Sequence, residues 1–450
     1  MLYNSFRILF RVTFRFFFRE TAVQNRERIP ATGPLLICAN HPGALLDPLV
    51  IAALIGRRVH FLAKAVAFKT KFAQWLLPKF NMIPIYRKQD DPTQLHRNQE
   101  TFSKCYEQLA QGAAILIFPE GISITERKLR ELKTGAARIA LGAEEANNFS
   151  LNVKILAVGL NYDDPHTFRR DVFVKVGEPI AVSDYKEQFG RDEFAAAEAL
   201  TEEIRRRLEA QIIHIENEED ERLVLQTERL RGDELRKSLG LPEVSAENEF
   251  KLTRQIAAVA KWFREHDPQH LAKIRSEMSS YFWKIDELGL SDKALRGKRS
   301  SRPLFDRIAA LLRTVLGFPF YVCGIVLNIL PFWLASMLSR TLVKAREFRG
   351  AIGAVTGALL FLIWYVVLGI TANHFTGNGW IALAVVLAAL PLGLFSWYYH
   401  RTLRTMARRW LLGSLFVRRR TVVAQLISQR EQLNRLLADA EKMYRAKNGN

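Results

Sequence analysis

The stretch PLLICANHPGALLDP (34–48) decides the fold, because an unbroken apolar run ends in a polar loop at His41. A short apolar run bounded by turn residues is typical of a strand that is buried on both faces of a parallel sheet. In open α/β sheets, ligands bind outside the carboxyl ends of such strands. The sequence therefore places His41 where chemistry is expected.

Asp47 follows His41 by six residues, at the start of a predicted helix. A carboxylate there can reach back to one imidazole nitrogen, which fixes the tautomer and supports formation of the imidazolium. The other nitrogen can then accept a proton from an alcohol. Taken alone, such a pair is more often explained by a structural histidine than by a catalytic one.

Around this stretch, apolar runs alternate with helical patterns, so residues 23–190 are predicted to form an α/β domain. The predicted strands are PLLICAN (34–40), VHFLA (59–63), MIPIY (82–86), AAILIFPE (113–120), VKILAVGLNY (153–162) and DVFVKVGEP (171–179). Predicted helices follow Asp47 and cover residues 93–111 and 134–147. Residues 191–302 are polar and helix-rich, which indicates a helical insertion or linker domain.

The composition favours a membrane protein. The chain has a formal net charge of +19, which predicts attraction to a polyanion, either nucleic acid or an anionic bilayer. Long apolar runs favour the bilayer, and no zinc-type or RNA-binding pattern occurs, so no nucleic-acid partner and no metal site are expected. Cys38, Cys105 and Cys323 have no paired spacing, which fits a reducing compartment without disulfides.

Residues 303–415 are predicted to form the membrane region. Runs 351–372 and 380–399 are each close to the ~20 residues that a spanning helix needs, and their connection lacks Lys and Arg. Basic residues flank the pair, which predicts a transmembrane hairpin with cytoplasmic flanks. The flanking residues are Arg340, Lys344, Arg346, Arg349, Arg401, Arg404, Arg408 and Arg409. Run 314–338 is interrupted by two prolines and an asparagine and is predicted to be re-entrant or interfacial.

Both ends of the chain are predicted to be helical. Residues 1–22 carry an arginine every fourth position among phenylalanines, which predicts an amphipathic helix lying in the membrane interface. A helix packed on the protein's own surface is the alternative. Residues 416–450 are predicted to form a cytoplasmic helical tail.

Four blocks occur in a family-specific order: NHPGALLDP (40–48), MIPIYR (82–87), FPEGIS (118–123) and ILAVGLNY (155–162). This order resembles the glycerolipid acyltransferases. LKTGAARIAL (132–141) and the five residues between His41 and Asp47 make the chain most similar to the yeast-type glycerol-3-phosphate and dihydroxyacetone-phosphate acyltransferases. The resemblance covers about residues 20 to 185.

The resemblance implies roles for particular residues. His41 would be the general base and Asp47 its orienting partner, while Arg87 would bind phosphate with its planar fork. The other implied substrate-binding residues are Glu120, Gly121, Ser123, Lys64 and Lys133. Ile122 stands where threonine is usual, and the usual arginine of this block is absent, so Ser123 and backbone N–H groups are the candidate replacements for its phosphate contact.

The implied function is esterification of a glycerol-phosphate backbone from a fatty acyl thioester, acyl-coenzyme A or acyl-carrier protein, with no cofactor. The acceptor would be glycerol 3-phosphate or, alternatively, lysophosphatidate. A phospholipid-remodelling transacylase and a non-enzymatic membrane scaffold are further alternatives, although the scaffold would not need His41 and Asp47. The protein is expected to be integral to the cell membrane, with its catalytic domain on the cytoplasmic side.

Overall fold

The structure, a computed structural model, describes residues 2–87, 89–241, 243–290, 292–295, 304–341, 346–418 and 420–448. It divides into two compact units. The first comprises Met1–Glu216, Val244–Lys251 and Val343–Ile352, and the second Asn217–Glu243, Leu252–Leu342 and Gly353–Asn450. Lys344 and the predicted boundary at 302–303 lie outside the described residues.

The first unit is built on one mixed sheet. Its strands are β1 (Thr21–Gln24), β2 (Leu35–Ala39), β3 (Val59–Lys64), β4 (Met82–Ile85), β5 (Ala114–Ile117), β6 (Lys154–Tyr162), β7 (Val172–Val176) and β8 (Ile180–Ala181). The strand order is β1-β7-β6-β2-β5-β3-β4, and β8 pairs with β6. The five strands from β6 to β4 are parallel, whereas β7 and β8 run antiparallel to β6.

Helices surround this sheet and form most of the second unit. They are α1 (Leu2–Phe17), α2 (Leu46–Leu54), α3 (Lys71–Leu76), α4 (Asn98–Ala110), α5 (Gly135–Glu145), α6 (Lys186–Arg191), α7 (Glu193–Glu209), α8 (Glu218–Ser238), α9 (Ala246–His266), α10 (Pro268–Glu287), α11 (Asp292–Leu295), α12 (Leu304–Thr341), α13 (Arg346–Thr376), α14 (Gly379–Arg418) and α15 (Arg420–Asn448). Short 3₁₀ helices cover Arg26–Arg28, Ala65–Phe68, Leu77–Phe80, Pro92–Arg97 and Val182–Tyr185.

The predicted α/β class is confirmed, and all six predicted strands are present. Every residue of β2 is fully buried, as expected for the central strand of a parallel sheet covered on both faces. Because β6, β2, β5, β3 and β4 are parallel, their carboxyl ends share one edge of the sheet. This edge brings together the segments that follow five different strands.

The α/β unit extends past the predicted boundary at residue 190. Helix α7 places Leu200, Ile204 and Leu208 in the same hydrophobic core as the sheet. These residues lie four apart, on one face of the helix. The unit therefore runs to Glu216, and the helical segment begins later than the sequence suggested.

Helix α1 contacts α2, and a row of phenylalanines in and just after the helix is buried. Phe10, Phe14 and Phe18 are almost completely buried, which matches the surface-packed alternative for the inner face of this helix. Residues 21 and 22 belong to β1 and not to the helix. The outer face exposes Ile8 and Val12, so the interfacial location stays a prediction.

Three helical segments are apolar and long enough to cross a membrane, counting only the described residues: Leu312–Thr341, Ile352–Thr376 and Gly379–Ala407. The sequence predicted two spans and one re-entrant or interfacial segment. Helices α8, α9, α10 and α15 share a separate hydrophobic core outside these spans. The protein is therefore membrane-associated.

Candidate active site

His41 and Asp47 are in direct contact at the carboxyl edge of the sheet. His41 follows β2 and Asp47 lies in the first turn of α2, where the helix dipole favours a negative charge. The imidazole Nδ1 is 2.8 Å from Asp47 Oδ2. Asp47 is fully buried, whereas the His41 side chain is 18% exposed. The segment from His41 to Asp47 thus pairs a buried carboxylate with a partly exposed imidazole ring.

The surroundings of Asp47 set the tautomer of His41. The same Oδ2 also accepts the Gly43 N–H at 2.8 Å, and Oδ1 accepts the Tyr162 hydroxyl at 2.8 Å. Because the Gly43 N–H and the Tyr162 hydroxyl both donate to this carboxylate, it also acts as the acceptor of the His41 contact, and Nδ1 carries the hydrogen. Among the described residues, no protein group bonds to Nε2, which leaves this nitrogen able to accept a proton.

Tyr162 is a residue of the candidate site that the sequence analysis missed. It ends β6, which is parallel to and adjacent to β2, so its side chain reaches the same edge of the sheet. Its position as the last residue of the fourth block, ILAVGLNY, is the sequence feature that could have identified it. Burial and the neighbouring Asp47 carboxylate raise the pKa of Tyr162 well above its usual value, so the hydroxyl stays a donor.

We expect Tyr162→Phe to lower the free energy of unfolding by about 1.5–3 kcal/mol, the usual contribution of a hydrogen bond to a charged group. Turnover should fall much less than on removal of His41, because Asp47 keeps its contacts with His41 and Gly43. Denaturant unfolding and initial rates measure the two effects. A large loss of turnover with unchanged stability would contradict a supporting role for Tyr162.

Glu120 holds the loop that carries His41. Its two oxygens accept the backbone N–H groups of His41 at 3.0 Å and of Arg130 at 3.1 Å. Burial raises the pKa of Glu120, and these two hydrogen bonds oppose the rise. The His41 ring stacks on Phe118 at 3.9 Å, which fixes the plane of the imidazole. The structure therefore shows Glu120 engaged with the backbone of the loop that carries His41.

Ser123 also stabilises the loop between His41 and Asp47. Its hydroxyl donates to the His41 carbonyl at 2.8 Å and accepts the Ala44 N–H at 3.0 Å. Ala44 has a positive φ of 51°, which a non-glycine residue rarely adopts. The Ser123 contacts stabilise this strained turn between His41 and Asp47.

Arg87 lies beyond the end of β4, at the same sheet edge. One of its nitrogens donates to the Gly121 carbonyl at 2.7 Å, which links Arg87 to the loop that holds His41. Two others bind the Asp90 carboxylate at 2.6 and 2.7 Å. Asp90 thus occupies the fork that was predicted to bind phosphate, and sequence reasoning did not foresee this carboxylate.

Lys64 and Lys133 lie near the same carboxylate. Hydrogen bonds from Arg87, and then the charges of Arg87, Lys64 and Lys133, hold the pKa of Asp90 below its usual value. Gly121 has a φ of +68°, and a Cβ atom there would come within 2.9 Å of Lys133 Nζ. Three cations therefore converge beside the third block, where the sequence predicted anion binding.

A cavity of about 600 Å³ adjoins this cationic region. Its lining residues are Ala65, Val66, Phe68, Lys69, Gln74, Pro78, Pro84, Tyr86, Arg87, Asp90, Asp91, Gln94, Arg97 and Lys104. The described residues include no cluster of three or more His, Cys, Asp or Glu side chains that could hold a metal ion. Cys38 and Cys105 are buried free thiols.

The segment that carries this geometry matches a known family. Residues 20–161 match the sequence model of the Acyltransferase family. This match confirms, over this segment of the α/β unit, the resemblance to acyltransferases seen in the sequence.

The chain is similar to several acyltransferases. It is 25% identical over 327 residues to the glycerol-3-phosphate O-acyltransferase 1 of Saccharomyces cerevisiae, covering 65% of this chain and 41% of the yeast protein. It is 26% identical over 190 residues to the 1-acyl-sn-glycerol-3-phosphate acyltransferase of Bacillus subtilis, covering 41% of this chain and 85% of that protein.

A crystal structure of the 1-acyl-sn-glycerophosphate acyltransferase of Thermotoga maritima also matches. It has a TM-score of 0.33 and 20% identity, over 45% of this chain and 78% of that chain. The chain spans 40% of an acyltransferase of Schizosaccharomyces pombe and 41% of the yeast enzyme, so it matches only part of these relatives.

Proposed function

We propose that this protein transfers a fatty acyl group from a thioester to a hydroxyl of glycerol 3-phosphate at a membrane. The observation that carries the proposal is the His41–Asp47 contact, in which the buried carboxylate leaves only Nε2 available as a base. The match to a yeast glycerol-3-phosphate O-acyltransferase over 65% of the chain supports this acceptor.

In the proposed reaction, His41 Nε2 removes the proton of the acceptor hydroxyl as its oxygen attacks the thioester carbonyl. Asp47 stabilises the imidazolium that forms. The tetrahedral intermediate then collapses, the carbon–sulfur bond breaks, and the imidazolium returns the proton to the leaving thiolate. The acceptor oxygen is the nucleophile, so no covalent acyl-enzyme is formed.

Lysophosphatidate is the second candidate acceptor. The Bacillus subtilis relative, of which the chain covers 85%, is named a 1-acyl-sn-glycerol-3-phosphate acyltransferase. The purified protein should be assayed with glycerol 3-phosphate, dihydroxyacetone phosphate and lysophosphatidate, each with acyl-coenzyme A and acyl-carrier protein. Turnover highest with lysophosphatidate would replace the proposed acceptor, and acyl transfer between phospholipids without thiol release would indicate a transacylase.

Arg87→Ala is expected to raise the KM for the phosphorylated acceptor far more than the KM for the acyl donor. The reason is that Arg87 is the central cation of the group near Asp90 and Gly121. Arg87→Lys should restore binding only in part, because a point charge cannot reproduce a planar fork. Steady-state kinetics with each substrate varied in turn measures the difference.

Asp90→Asn provides the matched control for Arg87. Phosphate must compete with the Asp90 carboxylate for the same two nitrogens. If Arg87 binds phosphate, Asp90→Asn should lower the acceptor KM while Arg87→Ala raises it. Equal rises of both KM values in the two variants would instead indicate that the Arg87–Asp90 pair only maintains the fold.

We further propose that both flanks of the hairpin formed by α13 and α14 are cytoplasmic. Helix α15 follows these spans, yet it packs into one core with α8 and α10, which precede them. Arg430 of α15 binds Asp292 at 2.9 Å and Lys284 of α10 binds Gln429 at 3.2 Å. Because these helices lie on the same side, the number of complete crossings between them is even.

Contacts of α12 explain how three apolar helices can give an even number of crossings. Near its start, Thr314 contacts Met406, beyond the apolar run of α14. Near its end, Ser339 approaches Gly353, at the beginning of the apolar run of α13. Both ends of α12 therefore lie beside the basic flanks, whereas its middle residue Asn328 bonds to Ala389. These contacts support a re-entrant path for α12.

Cysteine labelling tests this topology. In a cysteine-free variant, a cysteine at Thr376 is expected to react with an impermeant reagent added to intact cells, because it lies at the tip of the hairpin. A cysteine at Lys447 is expected to be protected until the membrane is permeabilised. Labelling of Lys447 in intact cells would require an odd number of crossings or the opposite orientation, and it would overturn the re-entrant path or the cytoplasmic location.

A further inference from the structure

The segment between β3 and β4 exposes an apolar surface beside the candidate site. We name the docking strip as Val66, Phe72 and Trp75 with Lys69, Lys71 and Lys79. Phe72 is 67% exposed, Trp75 is 59% exposed and Val66 is 45% exposed. Exposure of large apolar side chains to water is unfavourable in free energy. A group of such side chains next to one another on the surface therefore marks an interaction site.

The docking strip is an ordered feature of the fold. The rings of Phe72 and Trp75 lie 6.1 Å apart on one face of α3. The Thr70 hydroxyl caps this helix by accepting the Ala73 N–H at 3.1 Å. Phe80, just beyond the strip, packs against Phe6 of α1 at 4.9 Å. The two aromatic side chains are therefore presented outward from a fixed base.

The charge around the aromatic pair has one sign. Residues 65–80 contain three lysines and no acidic residue. Lys79 places its Nζ 3.4 Å from the centre of the Trp75 ring, a cation–π contact. Aromatic side chains flanked by lysines are typical of protein surfaces at the level of lipid headgroups, especially anionic ones.

The docking strip also borders the cationic region of the site. Val66 and Lys69 line the same cavity as Arg87. Any surface on which Phe72 and Trp75 settle would thus lie next to the mouth of this cavity. A bilayer is the occupant favoured by the chain itself, because three of its described helices are apolar and long enough to cross one.

We propose that the docking strip inserts Phe72 and Trp75 into the interfacial layer of an anionic bilayer, with Lys69, Lys71 and Lys79 at the headgroups. This contact holds the cavity beside Arg87 at the lipid surface, where an acyl chain can enter or leave. The docking itself does not depend on the acyl transfer proposed above, so either can fail alone.

The test places a fluorescent probe on the strip of the full chain. Cys323→Ser removes the exposed thiol, whereas Cys38 and Cys105 are fully buried and burial raises the pKa of both thiols, that of Cys105 to about 12, so they stay unreactive. Single cysteines at Phe72 and at Trp75 then take an environment-sensitive fluorophore. Phe194→Cys is the matched control, since Phe194 is 80% exposed on the same unit but follows Asp192 and Glu193.

Each labelled protein is reconstituted into phosphatidylcholine vesicles with or without phosphatidylglycerol, some carrying nitroxide quenchers on the acyl chains. Probes at 72 and 75 are expected to shift to shorter wavelength and to be quenched several-fold more strongly than the probe at 194. We expect that probe quenching no longer differs between vesicles with and without phosphatidylglycerol when three substitutions are combined: Lys69→Gln, Lys71→Gln and Lys79→Gln.

Two results would overturn the proposal. In the first, the probes at 72 and 75 are quenched no more than the probe at 194, which would leave the strip in water. In the second, lipids leave these probes unchanged whereas added acyl-carrier protein, an acidic protein, shields them. The strip would then be a protein-docking surface.

Discussion

Replacing His41 with alanine is expected to reduce turnover by about 10²- to 10⁴-fold, the usual contribution of a general base. The protein should remain folded and membrane-bound, because Asp47 keeps its hydrogen bonds from Gly43 and Tyr162. The loss should appear in kcat with every acceptor and donor, since the same proton transfer serves all of them. Initial rates at saturating substrate measure it.

His96→Ala is the matched control for this variant. His96 is exposed, and its ring bonds to the Thr93 carbonyl within its own 3₁₀ helix. The His96→Ala variant should therefore retain wild-type turnover. A His41→Ala protein that keeps more than half of the wild-type rate, with an unchanged unfolding midpoint, would remove His41 from the mechanism and the proposed reaction with it.

The fold was predictable where local pattern dominates. All six predicted strands are apolar runs bounded by turn residues, and each forms part of the sheet. The sequence analysis missed β1 and β8. Strand β1 has four residues and pairs with β7, about 150 positions away, and β8 has two residues. Short strands at the sheet margin depend on such distant partners and carry little periodicity of their own.

The predicted domain boundary at residue 190 came too early, because helix α7 is highly charged although one of its faces belongs to the core. Helix α7 has the sequence EFAAAEALTEEIRRRLE, which is polar in composition. Its buried residues Leu200, Ile204 and Leu208 form a narrow row that covers the sheet. Composition averages over all faces of a helix, whereas packing uses only one.

For the site, the sequence indicated His41 and Asp47 but not the groups that hold them. Tyr162 lies 115 residues beyond Asp47, and only the parallel pairing of β2 and β6 brings the two together. Asp90 was missed for a different reason, because a loop carboxylate three residues from Arg87 has no motif to identify it. Supporting groups come from topology, which a linear pattern does not contain.

Asp47→Asn is also expected to lower turnover, and the surrounding hydrogen bonds predict how it acts. The Gly43 N–H points to Oδ2 at 2.8 Å and requires an acceptor there. The new amide must therefore place its oxygen toward Gly43 and His41, and its NH₂ group toward the Tyr162 hydroxyl, which can rotate to accept it. His41 thus keeps the same tautomer.

What the Asn variant loses is the negative charge that stabilises the imidazolium. Turnover should fall more than tenfold. The loss should nevertheless be much smaller than the roughly 10⁴-fold loss that occurs where the same substitution reverses the tautomer. Asp47→Ala makes the contrast, because it leaves the buried Gly43 and Tyr162 donors without their acceptor at about 1–3 kcal/mol each and frees the imidazole to rotate. We expect kcat to decrease in the order wild type, Asp47→Asn, Asp47→Ala, with stability following the same order. An Asn variant as inactive as the Ala variant but as stable as wild type would show that the amide had reversed, and that Gly43 does not fix its orientation.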